Sequence, residues 1–163
     1  EEKFDVVLSQ YGHMFAPRPG VVTNELARVL KPGGILAFST WPKELFMGKF
    51  FKLIEDFSPP LPSELASPVL WGDMTIIQER LANQFEKIEF GRETMYAPTM
   101  SPAHMLKLFE KNAGPLANLV KALGDDPTKL TELRNSALYL IEKFFSNNFL
   151  KQDFLMTRCI KKS

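Results

Sequence analysis

Apolar and polar positions change period several times along the chain, and the changes divide it into elements. Phe4 to Leu8 form a near-continuous apolar run. Such a run predicts a strand buried on both faces, as inside a parallel sheet. It stops at Ser9 and Gln10, with Tyr11 and Gly12 following directly. Pro17 and Pro19 end the extension and open a helix in which Val22, Leu26, Val29 and Leu30 make one apolar stripe. The Lys31-Pro32-Gly33-Gly34 stretch closes that helix, and Ile35 to Trp41 predict a second strand. Residues 1–41 therefore read as a βαβ unit, its strands parallel neighbours joined by a right-handed crossover.

After this unit the pattern becomes mostly helical. Phe46, Phe50, Leu53, Ile54 and Phe57 share one face of a helix over 45–57, at plain core spacing. Residues 58–73, "SPPLPSELASPVLWGD", are proline-rich and predict a long, lid-like surface loop. Asp73 is placed to cap a helix that buries Ile77, Leu81 and Phe85. Lys87 to Met95 alternate in part and predict a third strand. Ser101-Pro102 and Asp126-Pro127 each read as an N-cap with proline in the first turn. They open helices over about 103–111 and 128–147, with a shorter helix over 116–123 between them, so residues 101–150 form a helical insertion. "DFLMTRCIKK" predicts the last strand.

Composition adds little beyond exclusions. The 163 residues suffice for one domain with a sizeable core, and 45% hydrophobic with 24% charged is ordinary globular usage. A net charge of +1 gives no electrostatic case for nucleic acid or for an anionic membrane surface. No apolar stretch is long enough to span a bilayer. The single cysteine, Cys159, makes no internal disulfide and suits a reducing, cytoplasmic setting. Two histidines and one cysteine, well separated, make no metal-ligand pattern, so no metal is expected.

The motifs carry more. "FDVVLSQYGHMF", "ELARVLKPGG" and "ILAFSTW" resemble the fourth strand, the following helix and turn, and the fifth strand of class I S-adenosylmethionine-dependent methyltransferases. The likeness is to the small-molecule branch that includes ubiquinone-biosynthesis-type enzymes. "LWGD", "LANQF" and "GPLANLVKALG" continue it. The resemblance implies a Rossmann-like α/β fold, a three-layer sandwich with extra helices between the last two strands. It also implies methyl transfer from S-adenosylmethionine to a small-molecule acceptor. The family holds that cofactor with a glycine-rich turn after its first strand and an acidic residue ending the second. None of the nine glycines here forms G-x-G or G-x-x-x-x-G-K. The expectation is thus the C-terminal half of the family fold, with three βα units, ~90 residues, belonging before it. Weak or absent cofactor binding by this chain alone follows.

Ligands of open parallel sheets sit beyond the carboxyl ends of the strands. That rule makes Ser9, Gln10 and Gly12 candidates for cofactor contact, small or polar groups that allow close approach and hydrogen bonds; a plain strand-ending turn is the other reading. His13 is the candidate base, since imidazole titrates near neutrality, unless it only bonds to backbone. Methyl transfer also proceeds on proximity and in-line orientation alone. Tyr11, Met14, Trp41 and Trp71 are candidate walls of an apolar acceptor pocket, the tryptophans otherwise core. His104 and Cys159 read as a surface residue and a buried small residue.

In the family fold the fourth strand lies beside the first. Without that neighbour, Phe4 to Leu8 becomes an open apolar edge, which invites pairing with a second copy or with the missing N-terminal half. A homodimer through Phe4–Leu8 is the expected assembly. A different class of function fits the same residues: a non-catalytic α/β module, or a fragment, that pairs with another chain and does not bind the cofactor alone.

Overall fold

The computed structural model describes residues 2–60, 62 and 65–163. The chain is α/β, and the predicted alternation holds. Strand β1 (Phe4–Gln10) leads through a 3-10 turn at His13–Phe15 to helix α1 (Pro19–Val29) and strand β2 (Leu30–Thr40). Helix α2 (Phe46–Phe57), a 3-10 helix at Pro68–Gly72 and helix α3 (Met74–Leu81) follow. Strand β3 (Phe85–Pro98) precedes helices α4 (Pro102–Asn112), α5 (Gly114–Ala122) and α6 (Pro127–Phe144). A two-residue strand β4 (Phe145–Ser146) pairs with the long last strand β5 (Phe149–Lys161). The helices thus stand between the last two long strands, as the resemblance implied.

Strand order in the sheet is β1-β2-β5-β3. β1 and β2 are parallel, joined through α1, and β5 runs antiparallel on the far side of β2, pairing Ile35 with Ile160 and Thr40 with Leu155. The β1–β2 register shifts early: Phe4 faces Leu30 but Val6 faces Ile35, so Lys31 to Gly34 bulge out of the ladder. Gly33 sits at φ +75°, a left-handed conformation favoured by glycine. The second strand therefore begins five residues before Ile35, running through the turn that was expected to precede it.

Contacts separate the chain into two compact units: Glu1–Lys43, Leu61–Glu93 and Phe154–Ser163 form the first, and Glu44–Pro60 with Thr94–Asp153 the second. In the first, α1 packs on β2 and α3, around Leu36, Phe38, Ile77 and Leu81. Phe85 is buried there too, as the first residue of β3 rather than as part of the preceding helix. The second unit is a helical core. Phe46, Phe50 and Ile54 of α2 meet Leu106 of α4, Leu119 of α5 and Ile141 of α6, and Phe109 lies 4.9 Å from Phe50, ring centre to ring centre.

The predicted caps form. Asp73 Oδ1 accepts from the Thr75 and Ile76 N–H groups at 3.0 and 3.4 Å. Ser101 Oγ accepts from His104 N–H at 3.1 Å, and Asp126 Oδ1 from Lys129 N–H at 3.0 Å. Each supplies a partner for an amide that the first helical turn leaves unpaired. His104 is not an ordinary surface residue: its Nδ1 is bonded to Thr99 Oγ1 at 2.8 Å in a half-buried setting. Cys159 is fully buried, and burial pushes its thiol up to about 12.

One expectation fails. β1 is not buried on both faces. Phe4, Val6 and Leu8, alternate residues that share one face, are 53%, 49% and 75% exposed. The reason is position. β1 ends the strand order, so one edge and one face of the apolar run lack cover among the described residues. The open edge expected for Phe4–Leu8 is present.

Candidate functional site

The carboxyl ends of β1 and β2 lie side by side, with Ser9 opposite Phe38 and Gln10 opposite Ser39. Tyr11 follows β1 directly with φ +57°, an uncommon conformation for a residue with a Cβ. Its N–H donates to Ser39 O at 3.1 Å, tying the two strand ends together. Its ring lies flat on Trp41, centroids 3.9 Å apart and 6° from parallel, and meets Phe154 edge-on at 5.9 Å. Burial raises the Tyr11 phenol, and a hydrogen bond to the Ser39 side chain pulls partly the other way. Ser9, Gln10, Tyr11, Ser39, Phe154 and Met156 line a cleft of about 230 Å³ here.

Beneath this cleft Ser9 and His13 are locked together. His13 N–H donates to Ser9 Oγ at 3.1 Å, and Ser9 Oγ lies 2.9 Å from His13 Nδ1. The imidazole packs edge-on against Phe38 and Trp71, with ring centres 4.5 and 4.7 Å away. Burial among these rings, with the Arg80 charge nearby, lowers His13 to about 4. Both causes act against the charged form. At neutral pH the ring is therefore neutral and weakly basic, and its chemistry there is hydrogen bonding.

The candidates fall in different places. Ser9, Gln10 and Tyr11 line the cleft itself. Gly12 caps the 3-10 turn with φ −79°, and a Cβ there would meet Ser9 Oγ at an ordinary 3.7 Å. Its lack of a side chain is required by neither backbone nor packing. Trp41 is buried behind Tyr11, whereas Met14 and Trp71 are fully buried side chains of the first unit's core. Leu61, Ser63 and Glu64 of the expected lid lie outside the described residues. Its Pro68–Gly72 end is packed tightly, since a Cβ on Gly72 would stand 2.3 Å from Trp41 O. Sequence reasoning missed Ser39, Phe154 and Arg80. Ser39 was legible as the polar residue before the second strand's end. Phe154 and Arg80 carry no local signal, being brought in by pairing and by α3.

Residues 1–38, which are β1, α1 and most of β2, match the family model described as "Methyltransferase domain". That match takes in Ser9 and Gln10 at the tip of β1 and Phe38 of β2, which lie on the cleft's lining. Among curated proteins, the chain is 25% identical over 163 residues to an uncharacterized protein of Mycobacterium tuberculosis, covering 99% of this chain and 60% of that one. A second uncharacterized protein of that organism is 27% identical over 155 residues, covering 94% and 57%. The chain thus spans somewhat under two thirds of the relatives' length. Among solved structures, the YcgJ protein of Bacillus subtilis aligns with TM-score 0.46 and 14% identity, covering 100% of this chain and 66% of that one. Phosphoethanolamine N-methyltransferase 2 of Haemonchus contortus, in complex with S-adenosyl-L-methionine, aligns at 0.43 and 13%, covering 100% and 35%.

The cleft is small and its lining is mainly apolar. Its volume is below the ~300 Å³ where sites for whole small-molecule ligands begin.

Proposed function

We propose that this chain contributes the strand-four and strand-five side of an S-adenosylmethionine-dependent methyltransferase acting on a small-molecule acceptor. What supports the reading most is a coincidence of two observations. The segment that matches the methyltransferase-domain model ends in the strand tips that line the 230 Å³ cleft. The cofactor, when bound, supplies an activated methyl group on sulfur. Ser9, Gln10 and Tyr11 would face its methionyl end or the acceptor, and Trp41 holds the Tyr11 ring in place from behind. In-line displacement asks for orientation above all. Tyr11, fixed by the hydrogen bond from its N–H to Ser39 O and by its stack on Trp41, gives this site one rigid wall. His13, neutral at working pH, offers a hydrogen bond rather than a charge.

Calorimetric titration of the chain with S-adenosylmethionine, with S-adenosylhomocysteine as the product control, tests the division of labour. The chain has no glycine-rich turn whose amides would hold the cofactor, so weak or no binding is expected. A micromolar dissociation constant would mean that the strand tips and cleft hold the whole cofactor unaided, and the half-site reading would fall. The exposed apolar edge of β1 favours a companion strand, from a second copy or from further methyltransferase sequence. Light scattering that returns a stable monomer with that edge open would count against an obligatory companion.

A further inference from the structure

A second constellation joins His13 to two side chains that the methyl-transfer reading does not use, Trp71 and Arg80. Three side chains of the first unit stack on one another: the His13 imidazole meets the Trp71 indole edge-on at 4.7 Å, and the Arg80 guanidinium carbon sits 4.5 Å from the centre of that indole. Each carries a nitrogen shut off from solvent and without a hydrogen-bond partner: His13 Nε2, Trp71 Nε1 and Arg80 Nη1. Trp71 itself is 1% exposed. Arg80 is half-buried, its only marked perturbation is loss of solvation, and no carboxylate pairs with it among the described residues.

Such an arrangement is costly as it stands. One nitrogen of the half-buried guanidinium is closed off without an acceptor, beside an indole N–H with nothing to bond, and both lose solvation that an acceptor would restore. We propose that His13, Trp71 and Arg80 form a binding site for a single carboxylate group. The donor count agrees. Arg80 Nη1–H and Trp71 Nε1–H are donors in any protonation state. Ser9 Oγ already accepts from the His13 amide, and by giving its own proton to Nδ1 it leaves the ring proton on Nε2, making a third donor. Three donors, one of them charged, with no acid among them, select a small anion with more than one acceptor oxygen.

This site stands whether or not the chain takes part in methyl transfer, and it is tested on the chain as it is. The Trp71 indole N–H and His13 ring resonances are followed by NMR while sodium acetate, and separately methionine and S-adenosylhomocysteine, are added at constant ionic strength. Acetate should give a saturating shift of the Trp71 N–H but not of Trp41, and should raise the His13 pKa by neutralising Arg80. Methionine and S-adenosylhomocysteine saturating the same resonance at lower concentration would assign the carboxylate to the cofactor. Saturation by acetate alone would assign it to the acceptor or another free acid. Arg80→Gln should weaken acetate by about tenfold or more, as loss of a charge-assisted hydrogen bond requires. Arg80→Lys, which keeps the charge and guards against misfolding of the glutamine variant, should restore part of the affinity. Linear, unsaturating shifts with all three compounds, or equal affinity in Arg80→Gln with its circular dichroism unchanged, would overturn the site.

Discussion

Lowering the pH should unfold this protein through one histidine in particular. His13 ionises at about 4 in the fold against an ordinary 6.5. Between those values the unfolded chain binds a proton that the folded chain refuses, so stability rises with pH across this window and falls as the pH drops through it. Above 6.5 the contribution is complete; below 4 no more is lost. At 1.36 kcal/mol per unit, the full gap is worth about 3 kcal/mol, and most of it, about 2.5 kcal/mol, has gone by about pH 4.5. That is a large share of the 5–15 kcal/mol typical of a domain. The perturbation is His13→Asn, whose amide oxygen can stand in for Nδ1 toward Ser9 but does not titrate. Urea melts at about pH 7.5 and 4.5, in carboxylate-free buffers, give the two free energies for each protein. Wild type should lose about 2–3 kcal/mol more than His13→Asn over the interval. Asp5 and Glu25, exposed carboxylates lowered by Lys31 and Arg28, titrate alike in both proteins and cancel. Parallel losses in the two proteins would refute the claim that burial and Arg80 hold the ring neutral.

Two further outcomes are expected. Gly72→Ala should cost several kcal/mol, because its Cβ would stand 2.3 to 2.6 Å from backbone atoms of Trp41 and Pro42 that cannot yield; a thermal midpoint within a few degrees of wild type would contradict this packing. Gly12→Ala should change stability by less than about 1 kcal/mol, since the added Cβ meets only ordinary contacts; a loss of several kcal/mol in urea melts would contradict the open setting of this turn.

Much of this architecture could be read from local pattern, because the signals involved are local. Ser101-Pro102, Asp126-Pro127 and Asp73 announce helices through their own side chains, and all three cap as expected. The parallel pairing of β1 and β2 followed from the length of the connection. What pattern could not show was which apolar run is covered. Phe4, Val6 and Leu8 look as buried as Ile35 to Phe38, and only the order of strands separates them. The site divides in the same way. Ser9, Gln10 and Tyr11 are contiguous and lie at a strand tip, where chemistry is expected. Arg80 and Phe154 reach the neighbourhood from helix α3 and from the far strand, across sequence separations that no periodicity measures. The basicity of His13 was misjudged for the same reason: the rings and the charge that depress it are distant in sequence.

The place of β5 in the sheet bears on how the chain acquires its structure. Ile160 pairs with Ile35, so the central ladder of the first unit joins residues more than a hundred positions apart. The whole helical unit, α2 included, lies between them in the chain. During synthesis the helices, rich in near-neighbour contacts, can close while β2 still waits for its antiparallel partner. Until residues 154–163 arrive, β2 has only β1 beside it, and Leu36 and Phe38 sit in an incomplete sheet. Folding of the two units is thereby ordered in time: the helical segment has the opportunity to settle first, and the β2 ladder is completed only when β5 emerges.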